Sequence, residues 1–120
     1  MLSTLVLAAQ LAASPMTFAE AKAQALRTHA AMRTPAREAL FDTQGRTLVA
    51  ALDSCGSPGN DLSSFTVVLR LRADGSAARS WREGESPLAR CVERHLVEVG
   101  VPGRWPEPFY IAIGAQLRAP

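Results

Sequence analysis

The chain is almost without lysine. Of its 13 basic residues only Lys22 is Lys and the rest are Arg, against 11 Asp plus Glu, for a net charge of +2. That balance is too weak to be the footprint of a nucleic-acid binder, and nucleic acid is not expected as a partner. The sequence holds no internal repeat and no low-complexity tract. It has no Gly-rich phosphate loop and no Gly-x-Ser-x-Gly elbow, which removes two common routes to phosphate binding and acyl transfer. No Cys-x-x-Cys or His-x-x-x-His spacing occurs, so no metal and no other cofactor is expected. No apolar run reaches the ~20 residues that a membrane-crossing helix needs. What is present fits one globular domain: 120 residues, 48% hydrophobic and 20% charged.

Charge is also missing from residues 1–19. Leu2 to Ala13 is an apolar run that ends at Ser14-Pro15, about the length of a signal-peptide core. The basic residues that usually precede such a core are absent, and only the α-amino group of Met1 is positive. Thr17-Phe18-Ala19 puts small residues at the −3 and −1 positions, which predicts cleavage after Ala19. A cut after Ser14 is the alternative, with Pro15 following it unfavourably. The predicted organisation is a signal peptide at 1–19 and a single α+β domain at 20–120, in the periplasm or secreted. The rival reading keeps the segment as a buried N-terminal helix of a cytosolic protein. No Cys ends the segment, so a lipid anchor is not expected, and neither is a stable membrane anchor in the mature chain.

The 2 cysteines are Cys55 and Cys91. In a small exported chain such a pair reads as a disulfide. Closing a loop of this length would stabilise the fold by up to ~4 kcal/mol. The cytosolic reading would leave two separate buried thiols.

Periodicity sets the elements. Residues 19–33 are rich in helix formers but poor in large apolar residues, which predicts a loosely packed helix interrupted at Thr34-Pro35. Phe41, Leu48, Leu52 and Cys55 recur on one helical face, so 36–54 reads as a helix that tolerates Gly45. The rival reading is two short strands about a turn at 43–46. Residues 64–73 alternate, with Phe65, Val67, Leu69 and Leu71 on one face and Thr66, Val68, Arg70 and Arg72 on the other. Asp74-Gly75 predicts a tight hairpin turn into a returning strand at 76–82. That register sets Arg72 opposite Ala77, Arg70 opposite Arg79 and Val68 opposite Trp81. Ser86-Pro87 opens a helix whose apolar stripe is Leu88, Cys91, Val92, Leu96 and Val99, closed by Gly100. A proline-rich loop leads to a last strand at 109–117. The fold class is therefore α+β: a small antiparallel sheet, made of a hairpin plus a C-terminal strand, covered by helices.

This order of strand, Asp-Gly turn, strand, helix, proline loop and terminal strand resembles the C-terminal domain of TonB-like periplasmic proteins. It is closer still to the cysteine-bearing relatives at the C-terminus of AgmX-type gliding proteins. The residues that carry the resemblance are Phe65 to Leu71 with Asp74-Gly75, then Ser86, Leu88, Cys91-Val92 and Leu96, and finally Pro102 and Pro106. Cys55 stands where those relatives place a Cys in the preceding helix. The resemblance implies a fold and a mode of action, the binding of another envelope protein through a sheet edge.

Candidate chemistry is sparse. Cys91 and His95 are four apart on one helical face, the spacing of a nucleophile and base or of two metal ligands. A disulfide at Cys91 would end both readings, and His95 then reads as a boundary histidine. Glu83 and Glu85 flank a turn, and Glu93 and Glu98 read as a solvated helix face. One surface cluster remains: Arg70, Arg72, Arg79 and Trp81 on the outer sheet face, with Arg70 set against Arg79. Such a cluster suits an acidic partner or a solvated basic face. The sequence predicts a non-enzymatic, disulfide-bonded interaction domain of the bacterial cell envelope. A small secreted enzyme or enzyme inhibitor is the alternative.

Overall fold

A computed structural model describes residues 15–56, 59 and 61–117. The order of elements is α1 (Phe18–Ala31), α2 (Thr34–Cys55), β1 (Phe65–Leu71), β2 (Ala77–Glu83), α3 (Pro87–Val99) and β3 (Phe109–Ala115). The fold is α+β, with an antiparallel sheet of strand order β2-β1-β3.

The strand alternation carries over directly. Phe65, Val67, Leu69 and Leu71 meet Phe109, Ile111 and Ile113 on the inner face, where α3 supplies Leu88, Ala89, Val92 and Leu96. Helix α3 is strongly amphipathic for the reason read above. Its cap is Ser86, whose hydroxyl accepts from the Ala89 amide at 3.1 Å, and it ends at Gly100.

The outer face is also covered, which the sequence reading did not expect. Helix α1 lies across it, mainly over β3. Ala21 and Ala25 are its only buried residues, and they pack on Val68, Trp81 and Tyr110. The bulk at this contact comes from the sheet, so α1 needs small residues rather than large ones. Thr17 caps α1 in a capping box with Glu20. Trp81 Nε1 donates to the Met16 carbonyl at 2.9 Å. Residues 16–19 thus belong to the α1 contact. A cut after Ala19 would remove the cap and Phe18, whereas a cut after Ser14 would leave both. Residues 1–14 of the expected leader lie outside the described residues.

Helix α2 is one continuous helix, and the rival pair of strands does not form. The break from α1 falls at Met32-Arg33, and Thr34-Pro35 opens α2 rather than interrupting a helix. Proline is at home in a first turn, where its missing N–H is not needed. The inward face of α2 is Leu40, Gln44 and Ala51, with Leu48, Leu52 and Cys55 partly buried. Phe41, expected on that face, is 47% exposed.

The hairpin keeps Arg70 opposite Arg79 and Val68 opposite Trp81, but a bulge at Arg70/Leu71 sets Leu71, not Arg72, opposite Ala77. Arg72 N–H donates to the Ser76 carbonyl and Gly75 N–H to the Arg72 carbonyl. The loop is therefore Ala73-Asp74-Gly75, with Gly75 at φ +88°, rather than a two-residue turn. The tertiary reason is the segment after α3. Val101 N–H donates to the Gly75 carbonyl at 2.9 Å and Trp105 N–H to the Ala73 carbonyl at 3.0 Å. Trp105 also stacks on Phe109, with ring centroids 4.9 Å apart.

Candidate interaction surface

A three-stranded open sheet has two edges, and here they differ in kind. Edge strand β2 carries Arg79, Arg82 and Glu83. Charged side chains on an edge discourage pairing with another strand. Edge strand β3 reads Phe-Tyr-Ile-Ala-Ile-Gly-Ala, seven residues without a charge. On its inner side it pairs with β1 along its whole length, from Phe65–Ala115 to Leu71–Phe109. Among the described residues, no backbone hydrogen bond from outside the sheet reaches Phe109–Ala115. Alternate N–H and C=O groups of β3 therefore point outward. They are held in register by side chains buried on both faces, Ile111 and Ile113 on the inner and Tyr110 on the outer.

The arginines predicted to share the outer face are distributed by the register. Arg70 and Arg79 are neighbours across β1 and β2, and Tyr110 is the neighbour of Arg70 on β3. The Arg79 guanidinium lies 4.7 Å from the Trp81 ring centroid, a cation–π contact. Among the described residues neither Arg70 nor Arg79 has a carboxylate within ion-pair distance. Trp81 is only 8% exposed because α1 lies over it. Arg72 is drawn to the hairpin loop, where it donates to Ser76 Oγ at 3.3 Å and the Ala77 carbonyl at 3.1 Å. Two exposed guanidiniums on Arg70 and Arg79 thus mark the part of the outer face beyond α1.

Among the described residues Glu83, at the end of β2, makes no ion pair with these arginines. Instead Glu93 on α3 binds Arg82 at 2.5 Å and accepts from Ser80 Oγ at 3.0 Å. Arg82 Nε also donates to the Gly84 carbonyl at 2.7 Å. This partly buried pair fixes β2 to α3, and the sequence reading, which placed Glu93 on a solvated face, missed it. Glu85 receives Arg90 and Arg82, and these two cations hold its carboxyl below the usual range.

Cys55 and Cys91 form a disulfide, with S–S 2.09 Å and Cα–Cα 5.8 Å. It joins the last residue of α2 to the second turn of α3. With its sulfur so bonded, Cys91 offers neither a thiolate nucleophile nor a thiolate ligand to His95. His95 lines a groove between α2 and α3 with Thr43 and Thr47. Both threonine hydroxyls already donate to helix carbonyls, of Ala39 and Thr43. Among the described residues no group of three or more His, Cys, Asp or Glu could hold a metal ion, and no helix is long and apolar enough to cross a membrane.

His29 meets Phe41 edge-on at 5.2 Å, joining α1 to α2. Its Nε2 is buried without a hydrogen-bond partner. Burial, aided by Arg37, lowers its pKa from the ordinary value.

Comparison with known proteins by family model, by sequence and by structure gives no match to this chain.

Proposed function

We propose that the chain is a non-enzymatic, disulfide-bonded domain of the bacterial cell envelope that binds another envelope protein by strand addition at β3. The observation that carries this reading is the contrast between the sheet's two edges. One is studded with charge. The other is an uncharged seven-residue strand with its outer backbone groups unpartnered among the described residues. A partner strand would gain main-chain hydrogen bonds there, and its alternate side chains would meet the outer and inner flanks of β3. The disulfide supports an oxidising compartment, because such bonds persist outside the reducing cytosol. The similarity of the element order to TonB C-terminal domains supports the same mode of action.

The test is site-specific photo-crosslinking in the native host. A crosslinker at Gly114 or Ala112 of β3 is expected to trap one discrete adduct, and one at Arg79 of β2 is expected to trap none. An adduct from β2 alone, or none from either strand, would contradict strand addition at β3.

A further inference from the structure

Helix α1 is fastened to the sheet by very little. Its buried residues are Ala21 and Ala25. Each contributes one methyl group, where a buried Leu or Ile of the inner face contributes several times that apolar area. Leu26, the large apolar residue in the middle of α1, is 57% exposed. Among the described residues no ion pair joins 15–31 to the sheet, and a single hydrogen bond does, from Trp81 Nε1 to the Met16 carbonyl. Met16 and Phe18 pack partly beside it. At its other end α1 runs into α2 through two extended residues, Met32 and Arg33, beside the His29–Phe41 contact. The bulk beneath α1 belongs to the sheet: Val68, Trp81 and Tyr110, with the Arg79 guanidinium on the Trp81 ring. Trp, Tyr and Arg are the residues of binding hot spots. These apolar residues form a cluster separate from the inner core that α2 and α3 cover.

We infer that α1 is a lid over the outer face of the sheet, with the Met16–Trp81 contact as its latch and Met32-Arg33 as its hinge. A segment held by few buried apolar groups opens locally, without unfolding the rest. Opening α1 uncovers the outer cluster and leaves the inner core packed, because the two share no residue. The opening bears on the β3 edge. The outer-face residues of β3 are Tyr110, Ala112 and Gly114, which stand beside Arg70, Val68 and Thr66 of β1. Tyr110 is buried and Ala112 partly buried, both in the cluster under α1, whereas Gly114 is exposed. A strand paired along all of β3 sets outward side chains beside all three positions. The closed lid leaves the Gly114 end uncovered, and the open lid frees the whole row. The lid therefore regulates how much of the edge a partner strand can use. That consequence rests on the strand-addition reading of β3, and the opening itself does not.

Hydrogen exchange of the oxidised chain, read site by site by NMR, tests the opening. The α1 amides and the Trp81 indole N–H are expected to exchange together, with protection at least about 100-fold below that of the β1 and α3 amides. Ala25→Glu sets a carboxylate against Trp81 and Tyr110. It is expected to abolish protection of α1 and to leave β1 and α3 protected. In the native host the same variant is expected to raise the yield of the adduct from a crosslinker at Gly114 by at least about threefold. Amides of α1 that exchange no faster than those of β1 and α3 overturn the lid. So does an Ala25→Glu chain that loses protection throughout. An adduct yield unmoved by Ala25→Glu, with α1 open, overturns its control of the edge. No adduct at Gly114 from either chain contradicts strand addition at β3 instead, and the exchange rates still decide the opening.

Discussion

At the scale of single residues, the strictest demand falls on Gly75. It stands at φ +88°, and a Cβ there would lie 2.2 Å from the Val101 carbonyl oxygen. Gly100 faces it from the other side, with its own Cβ position 2.3 Å from the Gly75 carbonyl oxygen. The two glycines let the hairpin loop and the end of α3 touch backbone to backbone. Gly75→Ala is expected to cost about 2–4 kcal/mol, from left-handed strain plus the clash, as read by thermal or urea melts. A loss under about 0.5 kcal/mol, the range of an ordinary surface change, would show that the contact yields. The sequence announced Gly75 as a turn residue through Asp74-Gly75. It did not announce the loop length, because that is set by hydrogen bonds from Val101 and Trp105, residues far along the chain. Asp74 adds a local brace: its carboxylate accepts from the Ser76 hydroxyl and amide, and these bonds hold its pKa below the ordinary value.

At the scale of elements, the question is what fastens each one. Strand β2 and helix α3 are fastened by Arg82 and Glu93. Removing Arg82 leaves the partly buried Glu93 carboxylate with only the Ser80 hydroxyl, and removing Glu93 leaves the partly buried Arg82 with only the exposed Glu85 carboxylate and the Gly84 carbonyl. Arg82→Ala or Glu93→Ala is therefore expected to cost about 1–3 kcal/mol, and the double variant less than the sum of the singles. A double-mutant cycle with no coupling would contradict this. Helices α1 and α2 meet through His29 and Phe41. Burial favours the neutral imidazole, so the folded-state pKa lies below the ordinary value of 6.5. The unfolded chain then binds the proton more readily. The contribution of His29 is fully present above about pH 6.5 and is lost as pH falls through the folded pKa. A His29→Leu variant is expected to flatten the stability profile below pH 6.5, and an unchanged profile would assign the pH dependence elsewhere. The elements themselves were largely legible in the sequence. The period-two run of β1, the Ser86 cap and the α3 stripe each declare themselves locally. What stayed hidden is tertiary. The docking of α1 rests on Ala21 and Ala25, which look featureless until Trp81 and Tyr110 supply the bulk. Phe41 looked inward because Leu48 and Leu52 share its period loosely, but Leu40 and Gln44 take that face. The Arg82–Glu93 pair joins residues on different elements, and no spacing rule reveals it. The candidate surface was legible only in part: the Arg70–Arg79 adjacency followed from the hairpin register, while the covering of Trp81 did not.

At the scale of the whole molecule, helix layers lie on both faces of a narrow sheet, and α2 is joined to the rest chiefly through α3. The disulfide ends that contact at Cys55 and Cys91, 36 residues apart in sequence. Reduction is expected to lower stability by up to ~4 kcal/mol. Hydrogen exchange should show the loss first in the amides of α2, with β1 and β3 protected for longer. Uniform loss across both would mean that α2 is integral to one cooperative unit. The same bond is compatible with an oxidising compartment, where such bonds persist. The measurement that tests the account most directly is the intact mass of the chain made in its native host, with alkylation before and after reduction. The account predicts that both cysteines resist alkylation until reduced, and that the leader is gone with the cut upstream of Thr17, so that the α1 cap survives. A full-length chain with two freely alkylated thiols would contradict it, and with it the assignment to the envelope.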